Sequence, residues 1–177
     1  DEVEDIEIQN QMFDIFQEHK DWVDILGVGS IAAINEQVQR GYSSELIKIS
    51  EALHEKKVSQ IADKIYCQRD KVRVVLISGP SSSGKTTFAK RLSIQLKVSG
   101  LKPYTISLDN YFVNREDTPK DENGDYDFES INALDVKSFN NDLLRLLSGE
   151  EVELPKFSFE KGQRFYDKSF LKIEANG

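Results

Sequence analysis

The octapeptide Gly79-Pro80-Ser81-Ser82-Ser83-Gly84-Lys85-Thr86 constrains the fold more than any other stretch of the chain. It fits G-x-x-x-x-G-K-[ST] at every fixed position, and Thr87 extends the hydroxyl run. It also stands where the hydrophobic period changes. Before it, residues 72–78 (Val-Arg-Val-Val-Leu-Ile-Ser) form a short β-branched run that ends at Gly79-Pro80, the pattern of a buried strand. After it, the spacing predicts a helix from Thr86 to Ser99, with Phe88, Leu92, Ile94, Leu96 and Val98 supplying apolar contacts and Gly100 stopping it. Residues 104–108 (Tyr-Thr-Ile-Ser-Leu) read as a second strand running into Asp109. Strand, loop, helix, strand is a βαβ unit, so the expected fold class is α/β with a parallel sheet and a right-handed crossover.

The loop chemistry follows from its residue types. Glycines let the backbone take turns closed to other residues and approach a ligand closely. Successive N–H groups can then face inward as an anion nest at the positive end of a helix. Gly79, Ser81, Ser82, Ser83, Gly84, Lys85, Thr86 and Thr87 are therefore the candidate nucleotide-phosphate residues. Lys85 is expected to bridge the β- and γ-phosphates of ATP, and the Thr86 hydroxyl to ligate Mg²⁺. A strand–helix turn made only of small residues is the plain competing reading.

The rest of the chain is organised around this unit. The whole formal net charge of −8 is carried by residues 1–70, which hold 15 acidic and 7 basic residues; residues 71–177 hold 16 of each. Neither part has the basic excess of a nucleic-acid binder. Residues 1–70 read as a helical connector or appendage and residues 71–177 as part of a second domain. Apolar residues recur at helical spacing from Ile8 through Met12, Phe13, Ile15 and Phe16, and Trp22 to Leu26 continue the face until Gly27. Ser30 is the expected N-cap of a helix to Arg40, with Gly41 as its stop. Ser43 or Ser44 starts a longer helix to about Gln68, with the stripe Leu46, Ile49, Leu53, Val58, Ile61, Ala62 and Ile65. His54-Glu55 lacks the second His that a helical zinc motif needs, because position 58 is Val, and His19 carries no motif. Residues 113–132 read as a polar surface loop. Asp135 is expected to cap a helix through Leu147, stopped by Gly149, with a short strand over residues 151–154.

The single cysteine, Cys67, excludes an internal disulfide and suits a cytoplasmic location; it is expected to be buried or half-buried on its helix. No apolar run reaches the roughly 18 residues of a membrane span, so no membrane partner is expected. The chain opens on Asp1 rather than Met and closes at Asn176-Gly177 without a terminating element, which reads as a piece cut from a longer protein.

Asp109 separates the classes that share this loop. At the end of the second strand it would lie at the carboxyl edge of the sheet, beside the nucleotide. A carboxylate there can accept a hydroxyl proton from a phosphoryl acceptor or hold Mg²⁺ through water. Ile106 to Asp109 can alternatively be read as the metal-organising strand itself, and Asp109 as a simple turn cap.

Four motifs in order carry a more specific likeness. Gly79-Pro-Ser-Ser-Ser-Gly-Lys-Thr-Thr87, then Ser107-Leu-Asp-Asn-Tyr-Phe112, then Tyr126-Asp-Phe128 with Ala133-Leu-Asp135, then Gly149-Glu-Glu-Val-Glu-Leu-Pro-Lys-Phe-Ser-Phe159 with Arg164 together resemble the uridine kinase/phosphoribulokinase family. The likeness runs from residue 72 to about 166. Glu51 to Lys57 resembles the connector of longer bacterial members, which carry a threonyl-tRNA-synthetase-like region ahead of the kinase. The resemblance implies ATP and Mg²⁺ as cofactors, a nucleoside or small sugar as acceptor, Asp109 as general base toward a sugar hydroxyl and Asp127 on ribose hydroxyls. It implies that Arg164 helps to position the nucleoside and that Phe157 stands against its base.

The chain departs from that family pattern in three places. Phe157 and Gly162 stand where uridine kinases carry a Tyr and a His that contact the pyrimidine, which widens the expected acceptors to other nucleosides and small sugars. The loop from Phe128 to Asn132 is about two residues longer than usual. No metal-organising strand or arginine-bearing lid follows Leu171, so residues 1–177 alone are expected to turn over poorly. The incomplete sheet is expected to expose apolar edges, with homo-oligomer formation as the consequence. A nucleotide-sensing regulatory module and an acceptor-independent ATPase or GTPase remain the alternatives from other classes.

Overall fold

Glycine fixes most of the helix boundaries in the chain. The computed structural model describes residues 13, 16–18, 20–80 and 82–174, in two compact units, 1–61 and 62–177, divided within one long helix. Ser81 and His19 lie outside the described residues, as do Ile8, Met12 and Ile15 of the expected first helix.

In the first unit, residues 20–26 are helical, and Gly27 ends them with φ 63°. Helix α1 (Ile31–Gln39) begins where Ser30 Oγ accepts the Ala33 N–H at 3.1 Å, as the cap reading expected. Gly41 closes it in the left-handed region at φ 83°, a conformation that a Cβ disfavours. Helix α2 (Ser43–Cys67) follows at the expected place. Along it Leu46, Leu53, Ile61 and Ile65 are half-buried and Val58 and Ala62 buried, while Ile49 stays exposed. Lys57 pairs with Glu18. Cys67 is exposed, contrary to expectation. It lies two positions beyond Ile65, about 200° around the helix and so off the apolar stripe.

In the second unit, helix α3 (Lys85–Val98) buries Leu92 and Leu96, four residues apart on one face. Ile94 and Val98, expected to make apolar contacts, are 59% and 78% exposed because each sits two residues off that row. Gly100 stops the helix, with Leu101 N donating to Leu96 O at 3.0 Å. Helix α4 (Val136–Leu147) starts at Asp135 and stops before Gly149, as expected. Strand β1 (Glu151–Glu153) pairs antiparallel with β4 (Phe170–Lys172), and β2 (Lys156–Ser158) with β3 (Gln163–Phe165). Tyr111, Phe112, Ala133, Leu146, Val152 and Pro155 form the buried centre of this unit.

The two expected strands of a parallel sheet are not formed among the described residues. Residues 72–80 and 101–107 carry no ladder. β-Branched side chains favour an extended backbone, but a strand also needs a neighbour to take its N–H and C=O groups. Val74, Val75 and Leu76 stay 39%, 44% and 76% exposed. The polar stretch 113–132 is more ordered than a plain loop. It holds 3₁₀ turns at Arg115–Asp117 and Ile131–Ala133, and a tight turn in which Asp121 N donates to Asp125 O at 2.8 Å.

Candidate functional site

Helix α3 opens without a side-chain cap. Its N-cap residue, Gly84, has φ 85° and ψ 16°, and Phe88 N, donating to Gly84 O at 2.9 Å, makes the first helical hydrogen bond. The N–H groups of Lys85, Thr86 and Thr87 therefore have no acceptor within the helix. Ser82 is also left-handed, at φ 59°, unusual for a residue with a side chain. Two left-handed residues flanking Ser83 coil the loop tightly: Ser83 N donates to Pro80 O at 3.3 Å, and a Cβ on Gly79 would lie 2.9 Å from Ser83 Oγ. The Lys85 ammonium is held over the loop by the carbonyls of Gly79 and Pro80, each at 2.8 Å. Ser82, Ser83, Thr86 and Thr87 are exposed.

Asp109 sits in a 3₁₀ turn, Leu108–Tyr111, rather than at a strand end, and it is exposed. The turn is anchored from below. Tyr111 is buried, stacks edge-on against Phe139 at 5.2 Å and donates its hydroxyl to Asp142 Oδ2 at 3.1 Å. Burial first, and then the neighbouring Asp142 carboxylate, push the Tyr111 phenol well above its ordinary range.

Two asparagines on this segment hold the β2–β3 ribbon. Asn110 Oδ1 accepts from Phe157 N at 3.3 Å, and Asn114 Oδ1 accepts from Arg164 N at 3.2 Å. Phe157 and Arg164 are direct partners across the ladder. The Phe112 ring lies 5.4 Å from Phe128, 5.7 Å from Phe157 and 6.1 Å from Phe159, all edge-on. This cluster ties the ribbon to the Asp127 loop. Asp127 Oδ1 accepts the N–H groups of Glu129 and Ser130 at 3.0 and 3.1 Å.

Arg164 reaches Asp135 with Nη2 to Oδ2 at 2.9 Å, and Asp135 also accepts from Ser138 N at 3.0 Å and Ser138 Oγ at 2.7 Å. Partial burial pushes the Asp135 carboxyl up, but the Ser138 hydroxyl and N–H and the Arg164 guanidinium outweigh it and hold it below the usual range. Gly162, at φ 65°, closes the ribbon tip against Arg115, whose N–H donates to Gly162 O at 2.8 Å and whose Nη2 donates to Phe159 O at 2.6 Å.

The structure thus brings Asp109, Asp127, Phe157 and Arg164 onto one interlocked set of segments. Among the described residues no hydrogen bond or ion pair joins that set to residues 79–87. Asn110, Asn114 and Arg115 were not foreseen as supports, and Asp135 was foreseen as a cap and a member of the Ala133-Leu-Asp135 motif, without its arginine partner. Their partners lie 29 to 50 residues away in sequence, beyond the reach of a local signal. No group of three His, Cys, Asp or Glu side chains converges as a metal cage among the described residues. No helix among them is long and apolar enough to cross a membrane.

The profile of the phosphoribulokinase/uridine kinase family matches residues 74–174. The chain belongs to that family. It is 38% identical over 106 residues to a uridine kinase of Schizosaccharomyces pombe, covering 57% of this chain and 22% of that one. Against a uridine kinase of Saccharomyces cerevisiae it is 31% identical over 107 residues, 58% of this chain and 21% of the relative. A Halobacterium salinarum uridine kinase is 29% identical over 92 residues, 52% of this chain and 40% of the relative. The chain therefore spans about a fifth to two fifths of the length of these relatives. No solved structure gives a significant match.

Proposed function

We propose that this chain belongs to an ATP-dependent kinase that transfers a phosphoryl group to a hydroxyl of a nucleoside or related small sugar. The observation that carries the reading is the opening of α3. A 14-residue helix begins at a left-handed glycine without a side-chain cap, its first N–H groups have no acceptor within the helix, and the Lys85 ammonium is held on the carbonyls of Gly79 and Pro80. Those donors and that cation suit a polyphosphate. The Gly79 to Thr87 loop would hold the β- and γ-phosphates, and the Thr86 hydroxyl would be a Mg²⁺ ligand, with Asp109 contributing through water. Bound MgATP supplies the transferable phosphoryl group.

The acceptor is assigned to the interlocked segments. Asp109, exposed on its turn, takes the proton of the attacking hydroxyl. Asp127 binds ribose hydroxyls through the oxygen its own loop does not use, Phe157 offers an apolar edge to the base, and Arg164 orients the acceptor. The uridine kinases among its relatives support a nucleoside acceptor. Phe157 and Gly162 supply no polar side chain to read a pyrimidine, so the reading extends to other nucleosides.

In the whole protein, residues 72–78 and 104–108 are proposed as strands of one parallel sheet, with residues 1–70 as a helical appendage and a cytoplasmic setting. The direct test is equilibrium binding of MgATP to the wild type and Lys85→Ala. Loss of binding in the variant is the expected result; unchanged affinity would sink the assignment.

A further inference from the structure

We infer that Asp135 is a positioning residue for acceptor recognition: it fixes Nη2 of Arg164 so that Nη1 is held ready to donate to a neutral oxygen of the phosphoryl acceptor. The inference rests on the kinase reading above and adds to it a residue otherwise accounted for as a helix cap.

Four observations converge on it. The Asp135 carboxylate cannot turn to follow the arginine, because Ser138 N fixes Oδ1 and Ser138 Oγ fixes Oδ2 at the start of α4. Arg164 is held at its other end as well, since its backbone N–H donates to Asn114 Oδ1. The pair therefore meets through one oxygen and one nitrogen, at 2.9 Å, with each side chain 24% exposed. A two-pronged pairing through both Nη atoms is not made. Finally, Arg164 Nη1 is buried and has no hydrogen-bond partner among the described residues. Buried donors are nearly always satisfied, and a charged one left unpaired calls for a reason.

The charge balance indicates what that donor takes. Arg164 and Asp135 neutralise one another, and the Asp135 carboxyl is held below its usual range, so the pair stays ionic in neutral solution. A net-neutral pair has no surplus positive charge for a second anion. A hydroxyl or carbonyl oxygen of a nucleoside matches it better.

Cap and charge can be separated by substitution. Asp135→Asn keeps a good N-cap and removes the charge; Asp135→Glu keeps the charge on a poorer cap. KM and kcat would be measured in the whole protein for uridine, cytidine, adenosine, guanosine and ribose, with MgATP KM and thermal midpoint alongside. The expected result is a rise of about tenfold or more in acceptor KM for Asp135→Asn, the scale of a lost charge-assisted hydrogen bond, with MgATP KM little changed. Asp135→Glu is expected to lower the midpoint but recover most of the acceptor KM. An acceptor KM that stays normal in Asp135→Asn, or that follows the midpoint rather than the charge, would overturn the inference and leave the kinase reading intact. Absence of turnover by the wild type on every acceptor would overturn both.

Discussion

Phe157 and Arg164 face each other across the β2–β3 ladder, and each gives its backbone N–H to an asparagine of the segment that carries Asp109. The candidate base and the two candidate acceptor-binding side chains are thereby held by a short local network, although they lie up to 55 residues apart in sequence, from Asp109 to Arg164. A ribbon of two three-residue strands is marginal on its own. The latches at Asn110 and Asn114 and the Phe112 cluster supply what the ladder lacks.

Loss of either latch should therefore be felt both in stability and in acceptor binding. Asn110→Ala and Asn114→Ala each leave a part-buried N–H without its acceptor, at a cost of about 1–3 kcal/mol. Chemical denaturation should report that loss, and acceptor KM should rise while MgATP binding holds.

Gly162 should tolerate no side chain. Its φ is 65°, and a Cβ there would meet Arg115 Cβ at 2.7 Å and Nε at 2.8 Å. Gly162→Ala is expected to destabilise by roughly 1–3 kcal/mol, from backbone strain and the clash together. Adding Arg115→Ala should remove the Nε contact but keep both the Cβ contact and the strain, so thermal melts of the double variant should recover only in part.

The Tyr111 phenol gives a pH signature. Burial and Asp142 raise its folded-state pKa above that of the unfolded chain. The associated stability is fully present below the unfolded value, about 10, and is lost as pH rises through the folded one. Phenolate absorbance of the folded protein should show a late-titrating tyrosine, and Tyr111→Phe should remove that late step.

The sequence was most legible where structure is local. Gly41, Gly100 and Gly149 stop their helices at φ 83°, 86° and 85°, and Ser30 and Asp135 cap theirs, because each signal acts within a few residues. Pairing was not legible. Residues 72–78 have strand composition, but whether a neighbour pairs with them is not written in their own side chains. The Asp135–Arg164 contact spans 29 residues, so the aspartate read as a cap and a motif member, and its partner was not legible. Ile94, Val98 and Cys67 show the same limit: residue type suggested burial, and their place on the helix decided exposure.

The most direct test of the account is ADP release from MgATP by the whole protein, with and without each nucleoside and ribose, with Asp109→Asn as the comparison. Turnover should need an acceptor and fall by about 10²–10⁴ in the variant, the usual worth of a positioned general base. ADP release that ignores the acceptor, or that survives unchanged in Asp109→Asn, would contradict it.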